Sequence, residues 1–499
     1  VTKDRLAMGD TRLHGLKDLE ARLAQDMVWL NLPAKPWLNP LDVEGQRVLD
    51  VAIIGAGLCG LVAAAALRHL GVDNVELFDR APEGREGPWV TYARMRTLRT
   101  AKAASGPALG IGSLTFRAWY EAQWGGDAWD RMDLAPREIW MDYLVWYRKV
   151  TRAKVNNGAD VTRISMREDG LLELTVSGRP ALARRVVLAT GLDGLGAPKL
   201  PAIASGVDKA FVAHSSDMFD LEGLAGKRVG VVGAGASAMD NAAAALEAGA
   251  ASVDLFVRRS ELPRIDKFTG VGSKGMTHGF YGLPDPIKWE FINEGDRAAV
   301  PPPRHSVKRV SAHDNARLHL ESPIVGLRDC GDHIVAQTPR GDYPLDFLIF
   351  ATGFGIDLAS RPELADIAPH ILTWGDRVDE QRRAANPQLA RAPYLADDFT
   401  FLEAEPGKCP ALSSIACFAY PAVPTHGKLT SGIPAVSDGA DRLAKGMVRS
   451  LFVEEAEAHL QRFMTYQTPE LLGDEWPDAD TVRSTGSASS AQFLRKEIS

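Results

Sequence analysis

Apolar side chains recur at helical spacing over residues 13–32 (Leu16, Leu19, Leu23, Met27, Leu30). This predicts an amphipathic helix, stopped by the prolines of Asn31-Leu-Pro-Ala-Lys-Pro-Trp-Leu-Asn-Pro40. It reads as an extension packed on the main body, with a partner-binding or membrane-surface helix as the alternative. At Arg47 the pattern changes. Residues 48–54 form an unbroken apolar run that predicts a buried strand. Gly55-Ala-Gly57-Leu-Cys-Gly60 and an alanine-rich helix over 61–70 follow. A second strand over 75–78 ends at Asp79. Residues 85–150 are rich in Trp, Arg and Tyr, and 116–150 carry a helical pattern. Short strand patterns then close on Ala189-Thr190-Gly191.

After a Pro/Gly-rich link over 197–206 the whole arrangement recurs. A strand over 228–232 leads into Gly233-Ala-Gly235-Ala-Ser237-Ala238, a helix over 239–247 and a strand over 252–257. This copy also closes on a strand and an Ala-Thr352-Gly353. Two strand–glycine turn–helix units predict an α/β fold with two Rossmann-like dinucleotide-binding domains.

The glycines have separate duties. The first permits the tight turn, the second lets backbone approach a pyrophosphate, and the third lets helix and strand pack closely. The pyrophosphate then sits on the free N–H groups of the helix start. Gly or Ala serves at the third position, so Ala238 fits the pattern. Ser237, at the helix start, is a candidate pyrophosphate donor or a helix cap. The interval of 23 residues from Gly55 to Phe78 repeats from Gly233 to Phe256, so the two second strands end in the same register. One ends on Asp79-Arg80 and the other on Val257-Arg258-Arg259. A carboxylate accepts both hydroxyls of a free ribose, so the first unit suits FAD or NAD. Valine cannot, and two guanidinium groups suit the 2′-phosphate of NADP.

Composition narrows the class. Net charge is −7, with 45% hydrophobic and 24% charged residues, which argues against a nucleic-acid partner. Cys59, Cys330, Cys409 and Cys417 form no CxxC pair, so neither a metal site nor a dithiol reductase is expected. No apolar run is long enough to span a membrane, and the charged start at 1–10 lacks the apolar stretch of a signal peptide. A cytoplasmic enzyme is expected, with a homo-oligomer left open.

With two such units in this order, the chain resembles the class B flavoprotein monooxygenases, the flavin-containing and Baeyer–Villiger enzymes, over residues 48–452. The likeness rests on both glycine turns, both Ala-Thr-Gly strands, and Phe211-Val-Ala-His214-Ser-Ser-Asp-Met-Phe219 before the second unit. That stretch is similar to the family's FxGxxxHxxxW, without its Gly and with a shorter Phe-to-His interval. Glu86-Gly-Pro-Trp89 is similar to a Gly-Gly-x-Trp beside the flavin. Leu98-Arg-Thr-Ala-Lys102 is similar to a Thr-Asn stretch, with Ala101 where the Asn steadies the oxygenated flavin. Thr430-Ser-Gly-Ile-Pro434 is similar to a loop closing over the isoalloxazine.

The resemblance implies FAD in the first unit and NADPH in the second. It implies a monooxygenase that inserts one atom of O2 into a small organic substrate, a ketone or an N/S heteroatom, through a C4a-(hydro)peroxyflavin. An NADPH-dependent reductase or oxidase without oxygen transfer is the alternative, and a non-enzymatic nucleotide-binding protein the third reading. The expected FAD contacts are Gly55, Gly57, Gly60, Asp79, Arg80, Trp89 and Thr190. The expected NADPH contacts are Gly233, Gly235, Ser237, Ala238, Arg258, Arg259, Thr352 and Gly353. Arg259 and His214 are the catalytic candidates. Arg259 acts over the flavin or is a second phosphate contact; His214 orients the nicotinamide, steadies the linker or is a core histidine. His278 lies in a glycine-rich loop that suits a lid or a plain surface turn. The expected bounds are an extension over 1–45, an FAD domain over 46–222 and 344–480, an inserted NADP domain over 223–343, and a tail over 481–499.

Overall fold

The computed structural model describes residues 15–430, 432–476 and 478–479. The start 1–14, Ser431 and the expected tail 481–499 lie outside the described residues. The chain divides into two compact units, 1–449 and 450–499.

Within the first unit, Leu49–Ile54 is buried along its whole length. A strand covered on both faces needs parallel neighbours and helices above and below. It pairs in parallel with Val75–Asp79 on one side and Arg179–Leu188 on the other. Lys154–Asn157 extends the sheet beyond Val75–Asp79, and the antiparallel strands Leu172–Val176 and Val161–Met166 extend the far side. Ile415–Cys417 pairs in parallel with Arg179–Leu188, so a segment late in the chain returns to the first sheet.

A second, five-stranded parallel sheet runs in the order Val212–His214, Phe347–Phe350, Arg228–Val232, Ser252–Phe256, Ala316–His319. The helix Ala236–Glu247 packs its alanine face on this sheet. Both Ala-Thr-Gly tripeptides therefore follow a strand that neighbours the nucleotide strand of their own sheet.

The aromatic-rich stretch within 85–150, with Trp119, Trp124, Trp140 and Tyr143, suits a pocket wall or a core equally by composition. The structure answers core for most of it. Phe116 lies 5.3 Å from Trp140 and 5.5 Å from Tyr143, ring centre to ring centre, and Trp119, Trp140 and Tyr143 are buried. They sit on the helices Phe116–Arg131 and Arg137–Thr151. The N-terminal helix Leu16–Trp29 packs here through Leu19 and Leu23, and the Trp146 indole donates to Glu20 at 3.2 Å. Val28 and Trp29, at its far end, are exposed.

In the second unit, the helix Ala456–Thr465 leaves Phe463 and Met464 exposed. No helix among the described residues is long and apolar enough to cross a membrane.

Candidate active site

The first glycine turn is shaped by the strand beside it. Gly55 has φ +100°, and a Cβ there would lie 2.5 Å from the Ala189 carbonyl oxygen. A Cβ on Gly60 would stand 1.9 Å from the Gly55 carbonyl oxygen, so the helix Leu58–His69 leans directly on the turn. That helix starts after Gly57 with no side-chain cap. Its first N–H groups thus face the turn and suit a pyrophosphate. Asp79 is aimed at the same place: its carboxylate accepts the Ala56 N–H at 2.7 Å and the Ala81 N–H at 2.8 Å.

A cleft of about 430 Å³ runs past these groups. Gly55, Gly57, Asp79, Arg80, Trp89 and Thr190 line it. The third glycine, Gly60, stands behind the turn as a packing residue. Arg80 pairs with Asp193 at 3.7 Å, and the Thr190 hydroxyl donates to the Gly194 carbonyl at 3.0 Å. A dinucleotide held by Asp79 at its ribose and by the turn at its pyrophosphate would reach with its other half past the helix start. There the Cys59 thiol donates to the Thr430 carbonyl at 3.0 Å, and Gly432 and Ile433 form wall. The residues present therefore suit FAD by their cradle and their ribose acceptor.

Several lining residues escaped the sequence reading: Arg85, Asp160, Arg361, Glu363 and Tyr420. Arg361 donates to buried Glu363 at 2.9 Å. Burial pushes the Tyr420 hydroxyl above its usual range, and Asp296 adds to this. Ala101 is exposed and lines none of this cleft.

Glu86 occupies the first Gly position of the family's Gly-Gly-x-Trp, and its carboxylate is buried. It accepts from Arg148 at 2.9 Å and from the Asn157 amide at 2.7 Å. This ties the cleft-lining segment to the neighbouring helix and strand. Arg148→Met is expected to lower stability by roughly 2 kcal/mol, because a buried acceptor loses a charged partner. Adding Glu86→Gln should restore part of that loss in thermal unfolding. An unchanged melting midpoint in the single variant would show the pair to be idle.

The second unit differs where the sequence differs. Val257 is buried, its N–H bound to the His319 carbonyl at 2.9 Å. Arg258 then turns out to solvent, and Arg259 donates to the Arg297 carbonyl at 2.9 Å. Gly235 precedes the uncapped helix Ala236–Glu247, with Ser237 and Ala238 in its first turn. Lys199 lies close by: its N–H donates to the Gly353 carbonyl at 2.8 Å. Burial holds its ammonium below the usual range, with Asp296 opposing and Arg258 adding to the shift. The Thr352 hydroxyl donates to the Lys199 carbonyl.

His214 is fully buried. Its Nδ1 accepts the Ser216 N–H at 3.1 Å, so Nε2 carries the proton and donates to the Gly353 carbonyl at 3.1 Å. Burial lowers its pKa, with Asp217 and the Gly353 contact opposing. This neutral ring pins the linker to the second Ala-Thr-Gly. Both of its nitrogens are engaged by protein. His278 is exposed, and its carbonyl accepts from Arg442 at 3.3 Å.

A family model described as pyridine nucleotide-disulphide oxidoreductase matches residues 52–269. An FAD-dependent urate hydroxylase from Xanthomonas campestris is 39% identical over 465 residues, covering 93% of this chain and 98% of that protein. The chain belongs to the class B flavoprotein monooxygenase family. It is an FAD-dependent oxidoreductase of the monooxygenase type, with FAD and NADP(H) as its cofactors. In fold it is similar to the ornithine hydroxylase of Pseudomonas aeruginosa, with a TM-score of 0.62 and 16% identity over 81% of this chain and 100% of that one. It is also similar to the L-lysine 6-monooxygenase of Pseudomonas syringae, with a TM-score of 0.63 and 17% identity over 81% and 99%.

All four cysteines are free thiols. Burial pushes Cys59 and Cys417 up to about 12, so neither offers a thiolate near neutral pH.

Proposed function

We propose that this monooxygenase uses NADPH and O2 to hydroxylate a small oxidised purine of the urate type. The near full-length identity to a urate hydroxylase carries the reading, and the asymmetry of the two nucleotide sites supports it. The bound flavin supplies hydride acceptance from NADPH and activation of O2 for transfer. The chain's residues divide the rest of the work. The Gly55 turn and Asp79 hold the FAD pyrophosphate and ribose. The Gly233 turn, with Ser237 and Ala238 at the helix start, holds the NADPH pyrophosphate, and Arg258 and Arg259 take the 2′-phosphate. His214 fixes the second Ala-Thr-Gly, and Cys59, Thr430 and Ile433 wall the flavin half away from water. The expected division into an FAD domain interrupted by an NADP domain is kept with this reading; the pairing of Ile415–Cys417 with Arg179–Leu188 supports it. A urate-type purine narrows the small organic substrate that the resemblance implies.

FAD-loaded enzyme given NADPH, urate and ¹⁸O-labelled O2 should consume the three one to one, with one labelled atom in the product. Peroxide release matching NADPH consumption, with no labelled product, would instead establish the oxidase reading.

A further inference from the structure

The cleft of the FAD unit has an end that none of the roles above uses. With the ribose at Asp79 and the pyrophosphate on the Gly55 turn, the adenine ring would lie on the far side of Asp79 from the turn. Two segments reach that end. Ala159, Asp160 and Val161 line the cleft there. They follow the strand Lys154–Asn157, whose Asn157 stands opposite Asp79, and the Ala159 N–H donates to the Asp79 carbonyl at 2.9 Å. Arg361 and Glu363, from late in the chain, line the same cleft. Their short turn, Pro362–Leu364, packs on the strand Val161–Met166, and Arg163 donates to Asp366 at 2.8 Å. Both segments therefore meet on the side of Asp79 away from the glycine turn.

A guanidinium and a carboxylate frequently meet through two parallel hydrogen bonds, one to each oxygen. This pair does not. Nε and Nη2 of Arg361 both donate to Oε1 of Glu363, at 2.9 and 2.5 Å. Among the described residues neither Glu363 Oε2 nor Arg361 Nη1 has a hydrogen-bond partner, and neither atom is sealed from solvent. The Glu363 side chain is nonetheless only 4% exposed and that of Arg361 18%. A carboxylate oxygen so placed lacks a donor that a ligand can supply. The pair thus offers one acceptor beside one donor to the cleft. Adenine carries the complement, an exocyclic amine beside a ring-nitrogen acceptor. Guanine and hypoxanthine carry a carbonyl oxygen in the amine's place, which would face the carboxylate oxygen with no proton between them.

We propose that Glu363 and Arg361 recognise the adenine of FAD, the carboxylate accepting from the exocyclic amine and the guanidinium donating to the ring nitrogen beside it. This site rests on the FAD seat proposed above and adds the base to its ribose and pyrophosphate contacts. It ties a segment from late in the chain to the cofactor. It also makes the enzyme select the whole dinucleotide, and adenine within it, because a purine that leaves the buried carboxylate unpaired forfeits that contact.

The test uses the full-length protein stripped of flavin and titrated calorimetrically with FAD, with FMN, and with the FAD analogue carrying hypoxanthine in place of adenine. The wild type is expected to bind FAD about 10-fold more tightly than the hypoxanthine analogue, as loss of one charged contact predicts. Glu363→Gln can turn an amide N–H toward the hypoxanthine oxygen and still accept from Arg361 through its carbonyl. It should narrow the gap to about threefold or less. Arg361→Met should raise the FAD Kd about 10-fold. Neither variant should move the Kd of FMN, which has no adenine and so reports whether the flavin half is intact. Wild-type protein that binds FAD and the hypoxanthine analogue alike would overturn the site without recourse to any variant. An FMN loss equal to the FAD loss would overturn it too, by giving the pair to the fold. Asp79→Asn checks the seat separately. If it weakens FAD while the other two variants do not, the adenine site falls and the seat stands. If the Arg361 and Glu363 variants alone shift FAD binding, the adenine site stands and the ribose contact falls.

Discussion

Gly60→Ala is expected to yield protein without FAD and with stability lowered by about 3 kcal/mol or more, at the upper end of overpacking effects. The added methyl would lie 1.9 Å from the Gly55 carbonyl oxygen and 3.0 Å from its carbon. Both are backbone atoms, so no side chain can swing aside. The helix Leu58–His69 must slide outward, carrying its first N–H groups away from the pyrophosphate position. It also pulls Gly55 away from the Ala189 carbonyl, against which the turn is built. The second unit supplies the control. There the third position is Ala238, whose Cβ would stand 3.2 Å from a Cβ on Gly233. That helix already leaves room for a methyl. Ala238→Gly is therefore expected to cost only about 0.5–1 kcal/mol and to leave NADPH binding intact. Flavin content by absorbance and the melting midpoint read both effects. Purification of Gly60→Ala with a full complement of FAD would show that the turn tolerates what its geometry forbids.

Those glycines were legible in the sequence because the constraint is local: a turn of fixed length must pass between a strand and a helix a few residues apart. The ribose-end contrast was legible for a related reason. Equal spacing in two copies of one motif puts Asp79 and Val257 at the same point in space, and the chemistry of that point follows from the side chain. His214 was only half legible. Its place before the second unit stood out, but its role depends on Ser216 and on the Gly353 carbonyl, the latter brought to it by pairing of Val212–His214 with Phe347–Phe350. Arg361, Glu363 and Tyr420 were invisible. They reach the cleft from irregular segments that carry no period and no motif, placed by contacts across the chain. Trp119, Trp140 and Tyr143 show the converse: aromatic density suggested a pocket wall as readily as a core, and mutual packing around Phe116 made it core.

Removing both guanidinium groups, as Arg258→Ala with Arg259→Ala, should raise the KM for NADPH about 100-fold and leave that for NADH within twofold. Each charge-assisted contact to a phosphate is worth about 1.5–3 kcal/mol. Solvent screening places exposed Arg258 at the low end, so the pair together loses roughly 3 kcal/mol, or a factor of about 100. The selectivity of the loss is the point. NADH lacks the 2′-phosphate, so it never gains from these arginines. NADH is expected to bind more weakly than NADPH in the wild type, because buried Val257 offers its ribose no carboxylate. Val257→Asp in the double variant should accordingly improve NADH use, although a carboxylate must leave the buried position to reach the ribose. The measurement is steady-state oxidation of each nucleotide, backed by anaerobic flavin reduction to separate binding from hydride transfer. Equal losses for NADPH and NADH would mean that the arginines hold the fold or the shared pyrophosphate. An unchanged NADPH KM would remove them from the nucleotide site altogether. The predicted pattern, a loss confined to the phosphorylated nucleotide, is what ties two side chains at the end of one strand to the enzyme's choice of electron donor.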